Sequence, residues 1–300
     1  MALKFSTGAV NNVAAGMGWG DLMKNGTIKV YSGTQPATAN DAPSGATLLC
    51  QFTTNSGALT NETRAACKIV LAAGAAGSVD SINVGGMALM SAAVTYATSL
   101  TNTAQLVVDN INNNLTTPDV YAVMGGTAVG GITYGAANAG EFYLIAPKNV
   151  GTAWNSVTVT TTSTTLTIAL NTDATPSTAE TGAFAAVSGD SVSGFTAGVA
   201  AVNGLTMTYP AVAGLISKNG TWGDSSADNS GTATWFRYIC NPNYDDGSTS
   251  LNTTGVAAYL ISRIDGSVGT SGADMLISNA SITASAAQTV NQFDFTVPSS

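Results

Sequence analysis

Histidine is missing from all 300 residues, and with it go the commonest general base and the commonest zinc ligand. Charge is nearly as scarce. Asp and Glu number 17 and Lys and Arg nine, 9% of the chain against roughly 25% in ordinary soluble domains. No Lys/Arg cluster exists to neutralise phosphates, so with a net charge of −8 the chain is not expected to coat nucleic acid. The three cysteines, Cys50, Cys67 and Cys240, are too few and too scattered for a metal knuckle or a disulfide framework. Cys50 and Cys240 sit in apolar strand contexts and read as buried free thiols; a bridge between them requires that their strands adjoin. No run approaches the roughly 18 apolar residues of a membrane span, and MALKFSTGAV has no continuous apolar core of signal-peptide type. The expectation is a chain made and kept reduced in a cytosol, with no membrane partner, metal or cofactor.

Ala, Gly, Ser, Thr and Asn fill the space that charges leave. An uncharged polar surface repels its neighbours weakly and is readily buried against them, which favours an assembly subunit. The length suits one large β domain or two smaller ones. In residues 231–240, GTATWFRYIC, residues 232, 234, 236, 238 and 240 alternate with 233, 235, 237 and 239, and neither set is wholly polar. Such a strand is covered on both sides or lies at an interface. Further strands are expected over 257–264, 275–277, 281–284 and 290–297, separated by Gly, Asn and Ser, the pattern of a sandwich or barrel. Nearer the N-terminus the spacing predicts a short, glycine-interrupted helix within 9–24 and strands over 27–31 and 46–52, with Pro36 and Pro43 keeping the loop between them out of a central ladder.

Several of these strings carry a resemblance. MALKFSTG, IKVYSGTQPATANDAPSGATLL, TATWFR, RIDGSVGTSGADM with LISN and ASI, and the closing FDFTVP resemble a family of small virion structural proteins encoded in tailed bacteriophages and prophages. The matching segments cover roughly half of the chain. The resemblance implies a class and no catalytic site. It implies a protein located in the virion, assembled in the bacterial host cytoplasm, and partnered by copies of itself as a trimer or ring and by other virion proteins such as the major capsid protein or tail proteins.

From about residue 57 to 203 the text no longer resembles that family, which marks an insertion in a surface loop. The expected division is a β core of 1–57 plus 203–300 and an inserted domain of 58–202. In the insert, strands are predicted over 68–72, 79–84, 92–96, 121–124, 141–146 and 157–170, the last with a bend near Ser163. A helix capped by Thr101 or Thr103 would place Ala104, Val107, Val108, Ile111 and Leu115 on one face, ending at Asn112–Asn114 and Pro118. Residues 171–200 read as a loose return path. The fold class expected is mainly β: an antiparallel sandwich or jelly-roll-like core formed by both chain ends, with an inserted small α+β domain.

Candidate chemistry is thin. Asp245 and Asp246 in NPNYDDGS are the best calcium candidates, although a solvated turn explains them too. Arg263, Asp265 and Asp274 read as an Arg–Asp pair fixing the RIDG turn rather than an acid/base set. Residues 266–272 lack the lysine and following helix of a phosphate loop. Trp222 reads as a loop anchor whose N–H finds a carbonyl. Trp235, Phe236, Arg237, Arg263 and Asp265 are the residues expected at a subunit interface. The expected function is non-enzymatic: a capsid-surface decoration protein, or else a tail, collar or baseplate component. A carbohydrate-binding or adhesin module, with the four Trp and nine Tyr on an exposed face, is the competing class. A hydrolase using two carboxylates comes third.

Overall fold

The computed structural model describes residues 3–14, 16–62, 64–114, 120–129, 132–148, 151–155, 157–171, 177–183, 200–209, 214–240, 242, 245–251 and 261–296. The chain divides into two compact units, Met1–Asn61 with Ala201–Ser300, and Glu62–Ala200. The seams therefore lie at 61/62 and 200/201, beside the 57/58 and 202/203 read from the sequence. Among the described residues no helix is long and apolar enough to cross a membrane.

The first unit opens with β1 (Lys4–Phe5), α1 (Thr7–Ala14), α2 (Trp19–Met23), β2 (Thr27–Ser32) and β3 (Thr47–Thr54). The one helix expected over 9–24 is two, because Gly16 adopts φ +100, outside the right-handed helical region. Ser6 Oγ accepts from the N–H of Ala9 at the start of α1, and the Asn12 amide reaches across to Ser262 Oγ at 3.1 Å. α1 is thus tied to the chain's far end.

The insert contains β4 (Ala66–Ala73), β5 (Ser78–Val84), β6 (Met87–Ala88), β7 (Val94–Thr95), α3 (Leu100–Asn113), β8 (Tyr121–Met124), β9 (Thr127–Val129), β10 (Ile132–Tyr134), β11 (Glu141–Ile145), β12 (Thr158–Thr164), β13 (Thr167–Leu170) and β14 (Ala179–Ala183). Two larger antiparallel sheets form, ordered β13-β4-β11-β8 and β14-β12-β5-β6, with β7 on β5, and β9 pairs with β10 as a separate two-stranded ribbon. Alternation explains the core: Cys67, Ile69 and Leu71 of β4 and Val79, Ile82 and Val84 of β5 point inward with Ala104, Val107, Val108 and Ile111 of α3. Where one small sheet was expected beneath the helix, there are two. The reason is the strand expected over 157–170, which is irregular at Thr162/Ser163, near the expected bend, and breaks at Thr165 (φ 69), delivering β12 and β13 to different sheets. Ser99, not Thr101 or Thr103, caps α3 by accepting from the N–H of Asn102 at 3.1 Å. Thr103 turns inward and donates to the Ser99 carbonyl. Leu115, Pro118 and residues 172–176 and 184–199 of the return path lie outside the described residues.

The first unit resumes with β15 (Thr206–Thr208), β16 (Leu215–Asn219), β17 (Trp222–Asp224), β18 (Gly231–Thr232), β19 (Trp235–Ile239), β20 (Arg263–Gly269), β21 (Met275–Ile277), β22 (Ser281–Ile282) and β23 (Gln288–Thr296). Of the strand expected over 257–264, residues 257–260 lie outside the described set, and Arg263 and Ile264 open β20. The 10-stranded sheet runs β1-β20-β19-β2-β3-β17-β23-β16-β15, and β21 pairs with both β20 and β23. That double pairing closes the sheet into a barrel. The fold is mainly β with antiparallel pairing, and its core wraps around a single interior instead of lying between two open sheets. The β20–β21 pair is parallel. Ile28, Val30, Phe52, Phe236, Tyr238 and Ile264 fill the interior, around Phe293, whose ring lies 5.5–5.9 Å from those of Trp222, Phe236 and Tyr238. Closure also removes most free edges from the sheet.

The chain leaves and re-enters this unit at adjacent points. Thr60 and Val202 form an antiparallel bridge, Thr54 N–H donates to the Asn203 carbonyl at 2.9 Å, and the Asn203 amide donates to the Ala58 carbonyl at 2.8 Å.

Candidate functional site

The residues that the sequence singled out converge on the outer face of β2, β19 and β20. Along β19, Phe236 and Tyr238 point into the barrel, so Trp235, Arg237 and Ile239 point out. The register sets Arg237 opposite Lys29 on one side and Asp265 on the other, and Ile239 opposite Arg263. Arg237 grips Asp265 side-on, Nε to Oδ1 at 2.8 Å and Nη2 to Oδ2 at 2.7 Å, and its Nη1 donates to the Gly247 carbonyl at 2.9 Å. Arg263 grips Asp245 in the same manner, with both bonds at 2.6 Å. Two-point guanidinium–carboxylate contacts are the strongest common side-chain pairs, and they fix orientation as well as distance. Tyr31 stacks on Trp235 with centroids 4.4 Å apart and planes 11° from parallel, and the Arg237 guanidinium carbon lies 5.6 Å from the Trp235 ring centroid.

An outward-facing layer of this kind would ordinarily be wet. Here Arg237, Arg263, Asp265 and Trp235 are all 0% exposed, as is Phe236 on the inner face. The residues around 35–42 and 245–251 carry the cover. Gly247 packs so closely that an added Cβ would sit 2.7 Å from Ile239 Cδ1, and its φ of +77 suits glycine alone. Leu251 N–H donates to the Asn40 carbonyl at 2.7 Å, Lys29 Nζ to the Asp246 carbonyl at 2.7 Å, and Lys4 Nζ to the Pro36 carbonyl. Burial pushes the Asp265 carboxyl above its usual range, and the bond from Arg237 pulls it back. Burial also drives the Tyr31 phenol up to about 12, opposed by the nearby Arg237 charge. Arg263 Nη1 and Trp235 Nε1 are buried without a hydrogen-bond partner among the described residues.

These positions correct the interface expectation. Trp235, Phe236, Arg237, Arg263 and Asp265 are already covered by their own chain, so no partner touches them while the barrel is intact. The ion pairing expected within the RIDG turn is corrected too: Arg263 and Asp265 each take a different partner. Asp274 instead accepts from the Ser267 N–H and hydroxyl, at 2.8 and 2.7 Å, and so closes the loop after β20. Asp245 and Asp246 diverge. Asp245 is spent on Arg263, while Asp246 accepts from Ser248 N–H and Oγ, bonds that hold its carboxyl below the usual range. Among the described residues no group of three or more His, Cys, Asp or Glu is placed to hold a metal ion. Trp222 does donate its N–H to a carbonyl, that of Asn219 at 3.0 Å, but its ring lies in the barrel interior rather than on a loop. All three cysteines are buried and outside any disulfide.

Two arrangements escaped the sequence reading. In the insert the buried Glu141 carboxylate accepts from Tyr143 OH at 2.5 Å and from the Asn138 amide at 2.9 Å. On α3 the Asn112 amide both donates to the Ala122 carbonyl at 2.9 Å and accepts from its N–H at 2.8 Å. The Glu141 partners lie only two and three residues away, and the Asn112 pairing joins a helix to a strand ten residues on. Chemically, the outer layer of the barrel holds loops: its carboxylates are occupied and the aromatic faces beside them are covered.

No known protein family, curated protein or solved structure matches the chain.

Proposed function

We propose that this chain is a structural protein of a tailed-phage virion, seated on the capsid surface as a homo-oligomer that binds the major capsid protein. One observation carries the reading. The strings that resemble the virion family, LKF, IKVYS, TWFR and RIDGSVG, are β1, β2, β19 and β20, and these are consecutive neighbours in the order β1-β20-β19-β2. With TLL on β3, MLI on β21 and FDFT on β23, the resemblance extends to every strand of the closed circuit except β17, as a shared architecture requires. Low charge and engaged carboxylates support a role that holds shape over one that turns over a substrate. Trp222 and Trp235 are buried, and Trp19 and Trp154 are half-buried, which disfavours the aromatic sugar platform of the competing class.

The test is the location and stoichiometry of the protein in a reconstruction of the particle. Many copies spread over the shell support the proposal. A ring of a few copies at the neck or tail replaces it with the tail or collar reading. Absence from mature particles ends both.

A further inference from the structure

The tetrapeptide Lys-Asn-Gly-Thr occurs twice, at 24–27 and 218–221, and a third Asn-Gly pair is Asn203–Gly204. Asn-Gly is the pair most prone to cyclise, because glycine puts no side chain in the path of its own nitrogen. With identical local sequence, any difference in reactivity between the two tetrapeptides belongs to the fold. We propose that Asn219 is a site of spontaneous modification in the native protein, converting to aspartate and isoaspartate, while Asn25 and Asn203 are protected.

At the first copy the backbone is clamped. Asn25 sits at φ 62 and donates its N–H to the Leu205 carbonyl at 2.8 Å, and Leu205 returns a bond of 2.8 Å to the Gly26 carbonyl. Gly26 is buried, with the Tyr238 ring 2.3 Å and the Ile239 carbonyl 2.7 Å from the place a Cβ would occupy. Gly204 presses equally closely on the Asn25 backbone. Asn203 is held by its own side chain, which donates to the Ala58 carbonyl and packs on Gly57. At the second copy Asn219, the last residue of β16 and paired with Thr206 of β15, and Gly220, which opens the turn to β17, are both exposed. Nothing lies within 4 Å of the Gly220 Cβ position, and the Asn219 side chain makes no hydrogen bond among the described residues. The turn has room to bring Gly220 N onto Asn219 Cγ.

The chemistry needs only water. Gly220 N bonds to Asn219 Cγ, the bond from Cγ to the side-chain nitrogen breaks, and ammonia departs with the proton lost by Gly220. Water then opens the succinimide at either carbonyl, giving aspartate or isoaspartate. In the isoaspartate product the main chain runs through the former side-chain Cβ and Cγ, and the α-carbonyl that accepts from Trp222 Nε1 becomes a free carboxylate. Surface chemistry at 219 is therefore coupled to a tryptophan in the barrel interior.

The native full chain, incubated at mildly alkaline pH and read by peptide mass spectrometry with an isoaspartate assay, tests this. Conversion at 219 should exceed that at 25 and 203 by about tenfold or more, the protection that an opening free energy of about 1.4 kcal/mol confers on the clamped sites. In concentrated urea the rates at 25 and 219 should converge. An Asn219→Gln chain should lose most of the native signal. Equal native rates at 25 and 219, or an Asn219 that stays intact in the native chain while converting in urea, would overturn the proposal.

Discussion

In the barrel, the segment 245–251 is pinned to the sheet by Arg237 and Arg263, each with a carboxylate partner at zero to a few per cent exposure. In the insert, the free edge of β8 is pinned to α3 by one neutral amide, Asn112, which satisfies both backbone groups of Ala122. Both devices join a β-strand to something non-adjacent in sequence, but they fail differently. A neutral amide that loses its partner leaves two unmet hydrogen bonds. A buried guanidinium that loses its partner leaves an unmet charge, which is far worse in a medium of low dielectric. The barrel's outer layer is thus stiff when intact and intolerant of partial damage, while the insert's device is weaker and more forgiving.

The sharpest way to break that contrast is Asp265→Ala. It strands Arg237 inside the outer layer and should cost about 3–5 kcal/mol, read as a fall in the denaturant midpoint of the barrel transition. Replacing Arg237 by Met and Asp265 by Leu together should cost less than Asp265→Ala alone. A double variant no milder than the single one would mean that charge is not what makes the layer intolerant.

Asn112→Ala probes the other side. Ala122 keeps its N–H and C=O but loses both partners, for about 1–3 kcal/mol in the insert's transition. Because β8 is an edge strand, the same change should promote self-association, visible by light scattering. A loss as large as that of Asp265→Ala would erase the distinction between the two units.

The last contrast concerns alkali. Burial raises the Cys67 thiol to about 12 in the insert core. An unfolded thiol ionises near about 8.5. Below that pH both states hold the proton and nothing is lost; above it the unfolded state sheds its proton first, so stability falls until the folded pKa is reached. The slope approaches about 1.4 kcal/mol per pH unit. Cys67→Ala should flatten this ramp in the insert, while the barrel keeps its own from the Cys50 thiol, which burial also pushes up. Denaturant midpoints from pH 8 to 10.5 would show it, and an unchanged insert slope would count against Cys67 as the source.

Much of this architecture is visible in the amino-acid pattern, and the limits have physical causes. Alternation in TWFRYI is enough to place β19 and to say that neither face is polar. It cannot say what covers the second face, because the cover comes from residues 245–251 and from around 35–42. An arginine on such a face reads equally well as a partner contact or as an internal pair, and for Arg237 the answer depends on Asp265, 28 residues away. Closure is similarly hidden. It depends on β21, three residues long, whose parallel pairing to β20 has no signature in composition. The cap of α3 shows the limit at short range: Ser99, Thr101 and Thr103 are all chemically competent, and only the core-facing direction of Thr103 decides among them.

The bridge between Thr60 and Val202 has a consequence for how such a molecule changes over generations. Two strands that part company side by side form a socket rather than a hinge, and the hydrogen bonds around Thr54, Ala58 and Asn203 belong wholly to the host barrel. A passenger of any length whose own ends meet fits the same socket, down to a tight turn, without asking the barrel to re-register a single strand.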